Sequence, residues 1–102
     1  MSPIITKLAG VTFDNCQQNI RFFSNPDLIY DLEREFNNQY DPFAIKVTKG
    51  PHKLGYLPKH IAQQVAPLID NGRCFVAEHL ALNEFPPHET VGLTVRIREL
   101  TQ

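Results

Sequence analysis

The residues best equipped for chemistry lie between Glu35 and Asp70. Tyr40-Asp41-Pro42 sets an aromatic ring beside a carboxylate on one turn. A residue ahead of proline is pushed to extended geometry, and an aspartate can bond its own backbone, so Asp41 is expected to cap this turn. From Pro42 to Ile69 the chain carries Lys46, Lys49, Lys53, Lys59, His52 and His60, with no Asp or Glu. The formal net charge of the 102 residues is −1, so this clustering is the one electrostatic signal in the sequence. It predicts a locally positive surface. Lys59 falls in the first turn of an expected helix, where unpaired backbone N–H groups also favour an anion.

Other chemistries find little support. His52, His60, His79, His88, Cys16 and Cys74 lack the close ligand pairs of a structural zinc site, so no metal is expected. Neither cysteine has the spacing of a catalytic nucleophile, and two distant cysteines read as reduced thiols in a cytosolic, cytoplasmic protein. No Gly-x-x-x-x-Gly-Lys phosphate loop is present, so ATP hydrolysis is not expected of this chain. Asp27, Asp31, Glu33 and Glu35 alternate along one strand face, which reads as a solvated sheet edge and not as a metal-binding cluster. The expectation is a binding protein with no cofactor and no enzymatic activity. No apolar run of roughly 18 residues suggests a membrane span, and the N-terminus lacks a signal-peptide core.

These side chains must be placed by short elements. Ile4–Phe13 is the first strand, with Ile5, Ala9, Val11 and Phe13 on one face and Gly10 marking a bulge or a close backbone approach. Asp14–Ser24 reads as a loop with a turn of helix or a short strand. Leu28–Glu35 alternates as a strand, and Phe43–Thr48 follows, with Phe43, Ile45 and Val47 inward and Ala44, Lys46 and Thr48 outward. Gly50-Pro51 closes a hairpin onto Lys53–Leu57.

Pro58 suits the start of a helix, and Ile61, Val65, Leu68 and Ile69 form its buried stripe until Asn71-Gly72 ends it. Pro67 predicts a bend or a tightened turn. Arg73–Leu82 is a strand of mixed polarity and Asn83–Glu89 a loop. In Thr90–Leu100, the residues Val91, Leu93, Val95 and Ile97 face in while Arg96 and Arg98 reach water. The fold class is therefore mostly β: one domain over 1–102, a small OB-like antiparallel β-barrel with one main α-helix over about 58–70 and room for a second short helix.

The chain resembles a HIRAN domain. Gly10, Phe13, Arg34-Glu35, Asn38, Tyr40-Asp41, Ala44-Ile45, Val47, Gly55-Tyr56-Leu57-Pro58, Ala62 and Asp70 carry the resemblance, which covers about Ile5 to Val76. It implies an OB-like barrel that binds DNA, notably the 3′ ends of single strands. The family occurs as a module on Snf-type DNA translocases and as short standalone proteins.

Carried over residue by residue, the resemblance makes Phe13 and Tyr40 stacking platforms and Asp41 the acceptor of a terminal 3′ hydroxyl. Lys59 and Tyr56 become phosphate contacts, and Asn38 a contact to the terminal nucleotide. Lys46 and Lys53 would extend the positive surface. The position before the aromatic is often Arg in the family's DNA binders; here Thr12 removes one charge contact. The implied partners are single-stranded DNA or DNA ends, with a DNA translocase or repair protein as a further partner and no membrane. Two alternatives remain open: a protein–protein interaction module on the same fold, with an apolar patch around Phe85-Pro86-Pro87, and an accessory domain of a translocase or nuclease system.

Overall fold

A computed structural model describes residues 1–101. Six strands and two helices run in the order β1 (Ile4–Lys7), α1 (Cys16–Phe23), β2 (Ile29–Arg34), β3 (Ile45–Lys49), β4 (His52–Tyr56), α2 (Lys59–Asp70), β5 (Phe75–Glu84) and β6 (Val91–Glu99). The strands form one antiparallel sheet in the order β1-β6-β5-β2-β3-β4. The expectation of a mostly β, OB-like antiparallel fold holds, and the six strands curl into a half-barrel. Past the end of β1, Ala9 forms an isolated bridge to Tyr56 of β4, with backbone hydrogen bonds of 2.7 and 2.8 Å, so the two edges of the sheet meet there.

Alternation dictates the core. On β6, Val91, Leu93, Val95 and Ile97 are buried while Arg96 is exposed, and Arg98 is half-buried and paired with Glu78. Tyr30, Ile45, Val47 and Leu54 from β2, β3 and β4 close over the same interior. Each such side chain stabilises the fold by about 1.5–3 kcal/mol through burial. Helix α2 adds Ile61, Ala62, Val65 and Ala66, leaving Lys59, His60, Gln63 and Gln64 in water. It continues through Pro67; the Asn71 N–H is then shared between the Pro67 and Leu68 carbonyls at 3.1 and 3.2 Å, which tightens the last turn. The Gly72 and Arg73 amides fold back onto the Ile69 and Leu68 carbonyls and end the helix.

Several expectations change. The first strand stops at Lys7, and its inward residues are Ile4 and Thr6, which pair with the buried Ile97 and Val95; Ile5 is 65% exposed. Gly10 sits at φ +64°, so the alternation read from Phe13 does not extend back through it. Phe43 is exposed and Ala44 buried, because Phe43 still belongs to the turn held by Asp41, and β3 begins at Ile45. Thr48 is buried because the β3–β4 pairing shifts between Val47 and Thr48, turning two successive side chains inward. Asp14–Ser24 contains a full helix, α1, lying against β4 and β6. Strand β2, which carries Asp31 and Glu33, is an interior strand and not an edge.

Candidate nucleic-acid interface

Four chain segments meet around one groove of about 840 Å³. The β1–α1 connection brings Phe13, the β2–β3 connection brings Asn38, Tyr40 and Asp41, the end of β4 brings Tyr56, and the first residue of α2 is Lys59. All six residues singled out by sequence therefore line the same groove despite their separation along the chain. Two rings stand open to solvent, Tyr40 at 86% exposure and Phe13 at 66%. Exposed rings on a groove wall offer flat apolar faces on which any base can stack.

The β2–β3 connection is held by side chains. Asn38 Oδ1 accepts hydrogen bonds from the Tyr40 and Asp41 amides at 2.8 and 3.0 Å, and its Nδ2 donates to Glu35 Oε1 at 2.8 Å. Asn38 thus shapes the turn that presents Tyr40 and Asp41. Asp41 Oδ1 accepts from the Phe43 amide at 2.9 Å, the expected cap. Its Oδ2 takes no hydrogen bond from any described residue and remains available to a ligand. Behind the turn, the buried Arg34 side chain donates to the Ala44 and Pro42 carbonyls at 3.0 and 3.1 Å and pairs with Asp70 at 2.9 Å. This clamp ties the turn to the end of α2. Arg34 and Asp70 are 36 residues apart, and no spacing in the sequence pairs them.

The groove floor carries a chain of hydrogen bonds. The Tyr56 hydroxyl donates to the Glu35 carboxylate at 2.9 and 3.1 Å and accepts from Lys53 Nζ at 3.3 Å. Burial, and then the bond to Glu35, push the Tyr56 hydroxyl above its ordinary pKa, so it stays protonated. Lys53 Nζ also pairs with Asp14 at 2.5 Å, and that bond raises the Lys53 pKa and keeps it charged.

The acid-free run from Pro42 to Ile69 is consequently not a bare positive surface. Asp14 neutralises Lys53, Glu33 pairs with Lys46 at 3.5 Å, and Lys49 bonds the Ile29 carbonyl. Asp14, Glu35 and Asp41 all line the groove. Lys59, exposed at the α2 N-terminus, has no ion-pair partner among the described residues.

Among the described residues, no group of three or more His, Cys, Asp or Glu side chains is placed to hold a metal ion. Cys16 is buried, which pushes its thiol above its ordinary pKa and away from nucleophilic use. No helix is long and apolar enough to cross a membrane.

A family model described as HIRAN domain matches residues 6–98. The chain belongs to the HIRAN domain family. The match runs past the Ile5–Val76 region of resemblance and takes in most of β6. HIRAN domains are a family associated with nucleic-acid binding. Two solved structures share the fold. A protein from Lactobacillus plantarum is 23% identical at a TM-score of 0.77, with 96% of this chain and 95% of that one covered. The HIRAN domain of human HLTF is 20% identical at a TM-score of 0.66, with 94% of this chain and 74% of that one covered. No curated protein matches the sequence.

Proposed function

We propose that this HIRAN domain binds single-stranded DNA at 3′-hydroxyl ends and performs no chemistry of its own, in the setting of DNA repair or fork processing beside a translocase or repair protein. The observation that carries this reading is the convergence of Phe13, Tyr40, Asp41 and Lys59 on one groove. Tyr40 and Phe13 supply stacking faces, and Lys59 with the first turn of α2 supplies an anion site.

Asp41 supplies the selectivity. A 3′-terminal nucleotide ends in a hydroxyl donor, whereas an internal one carries a phosphate on the same oxygen. Asp41 Oδ2 accepts from the hydroxyl by a charge-assisted bond and repels the phosphate. The fixed turn, with Oδ1 tied to the Phe43 amide, holds that carboxylate in place and lowers the cost of ordering it on binding.

The test is a fluorescence titration of one oligonucleotide bearing either a 3′ hydroxyl or a 3′ phosphate. The native chain should strongly prefer the hydroxyl, and Asp41→Asn should narrow the gap. Equal binding of both ends by the native chain would reduce Asp41 to a turn residue.

A second reading, a protein-contact module, draws on Phe85, 60% exposed in the β5–β6 connection and outside the groove. It predicts that Phe85→Ala leaves oligonucleotide binding intact while abolishing capture of a protein partner.

A further inference from the structure

Lys53 is a cation whose charge is taken up within its own chain. Its ammonium lies 5.0 Å from the centre of the Tyr56 ring and bonds the Tyr56 hydroxyl. Tyr56 and Asp14 line the groove while Lys53, bonded to both, does not. The Asp14 carboxylate, on the groove lining, therefore holds by an ion pair a lysine that is not on that lining. Its side chain is 66% exposed, with no hydrogen-bond donor besides Lys53 among the described residues, so little holds it beyond a single ion pair. Asp14 also follows Phe13, one of the two stacking rings, and both line the same groove.

We infer that Asp14 occupies the position of a strand phosphate: Lys53 is a phosphate-binding residue masked by Asp14, and a bound strand competes with that carboxylate for it. This rests on the single-strand reading above. With the mask in place, the groove lining sets the carboxylates of Asp14, Glu35 and Asp41 against the one exposed amine of Lys59, so contact with a longer strand is penalised and contact is confined to its end. Removing one carboxylate reverses part of that balance.

The test variant is Asp14→Asn. Asp14 sits at φ +52°, a left-handed conformation that asparagine also tolerates, so the substitution removes charge and keeps the backbone. A thermal melt checks that the fold is retained. Binding of a 3′-hydroxyl oligonucleotide is measured over a salt series for the native chain, Asp14→Asn and Asp14→Asn/Lys53→Gln.

Asp14→Asn should tighten binding by about fivefold, the scale of one unit-charge interaction at about 4 Å in water. It should also steepen the log–log salt dependence by about 0.7, one phosphate on a single strand. The double variant should lose both gains. If the native chain binds but a folded Asp14→Asn binds no tighter and with the same salt slope, the mask is refuted and the single-strand reading stands. The mask is refuted equally if the double variant keeps both gains. If no variant binds any 3′-hydroxyl oligonucleotide, the single-strand reading falls and the mask falls with it.

Discussion

Tyr40 presents the least buried large apolar side chain among the described residues, 86% exposed on a turn that Asn38 and Asp41 hold in shape. A ring so little packed contributes little to folding, so its removal isolates binding. Tyr40→Ala should weaken oligonucleotide affinity by about 1–3 kcal/mol, the usual worth of one stacked base, with an unchanged denaturation midpoint. Titration and urea melts of the same preparation check both halves. At this scale the sequence showed which residue types could act, because Tyr40-Asp41-Pro42 carries both an aromatic face and a turn signal. It did not show that Asn38 would spend its amide on the turn and on Glu35, because that choice depends on the folded position of the Glu35 carboxylate.

Among the elements, β4 does two jobs, completing the sheet and flooring the groove. Gly55 allows this. A Cβ there would lie 2.9 Å from the Ala9 carbonyl oxygen, 3.2 Å from Val11 Cγ1 and 3.3 Å from Leu8 Cβ. Gly55→Ala must therefore push β4 away from the Ala9 bridge. Overpacking of this kind costs about 1–3 kcal/mol, and the displaced Tyr56 should carry a loss of affinity with it. A urea melt together with an oligonucleotide titration tests the pairing of the two losses; a variant with native stability would show that the bridge gives way freely. The β6 and α2 patterns were legible because regular alternation and a regular helical stripe survive folding intact. The phase of β1 and the inward turn of Thr48 were not, since each depends on a local irregularity, a positive φ at Gly10 and a shift in the β3–β4 register.

For the molecule as a whole, charge balance is set by tertiary pairing. The excess of lysines between Pro42 and Ile69 was plain in the sequence, but Asp14 reaches Lys53 across 39 residues, and only the fold brings them together. Global stability also carries one proton-sensitive contact. The Asn25 amide donates to the buried Tyr30 hydroxyl at 3.2 Å, and that hydroxyl shares a 2.8 Å hydrogen bond with His79 Nδ1, in which the imidazole tautomer sets donor and acceptor. Burial of the ring disfavours the charged imidazolium and lowers the His79 pKa. The unfolded chain then binds the proton more readily, so this contribution is complete above about pH 6.5 and is lost as pH falls through the lowered folded value. Glu78 and Glu99, whose pKa values are lowered by their arginine partners, lose their contributions only below the ordinary carboxylate range. Urea midpoints should therefore decline between pH 7 and pH 5 in the native chain and stay nearly flat in His79→Gln; a flat native profile would remove His79 from the account.

The bridge between Ala9 and Tyr56 has a thermodynamic meaning as well as a geometric one. It is the point where the two edges of the sheet meet, and Ala9 and Tyr56 both line the groove, together with Phe13 from one connection and Tyr40 from another. Opening the sheet and dismantling the groove are therefore one event. Any ligand that spans both connections binds only the closed form and draws the equilibrium toward it by mass action, by about 2.7 kcal/mol at a hundredfold excess over its Kd. Resistance to unfolding thus becomes a measure of occupancy.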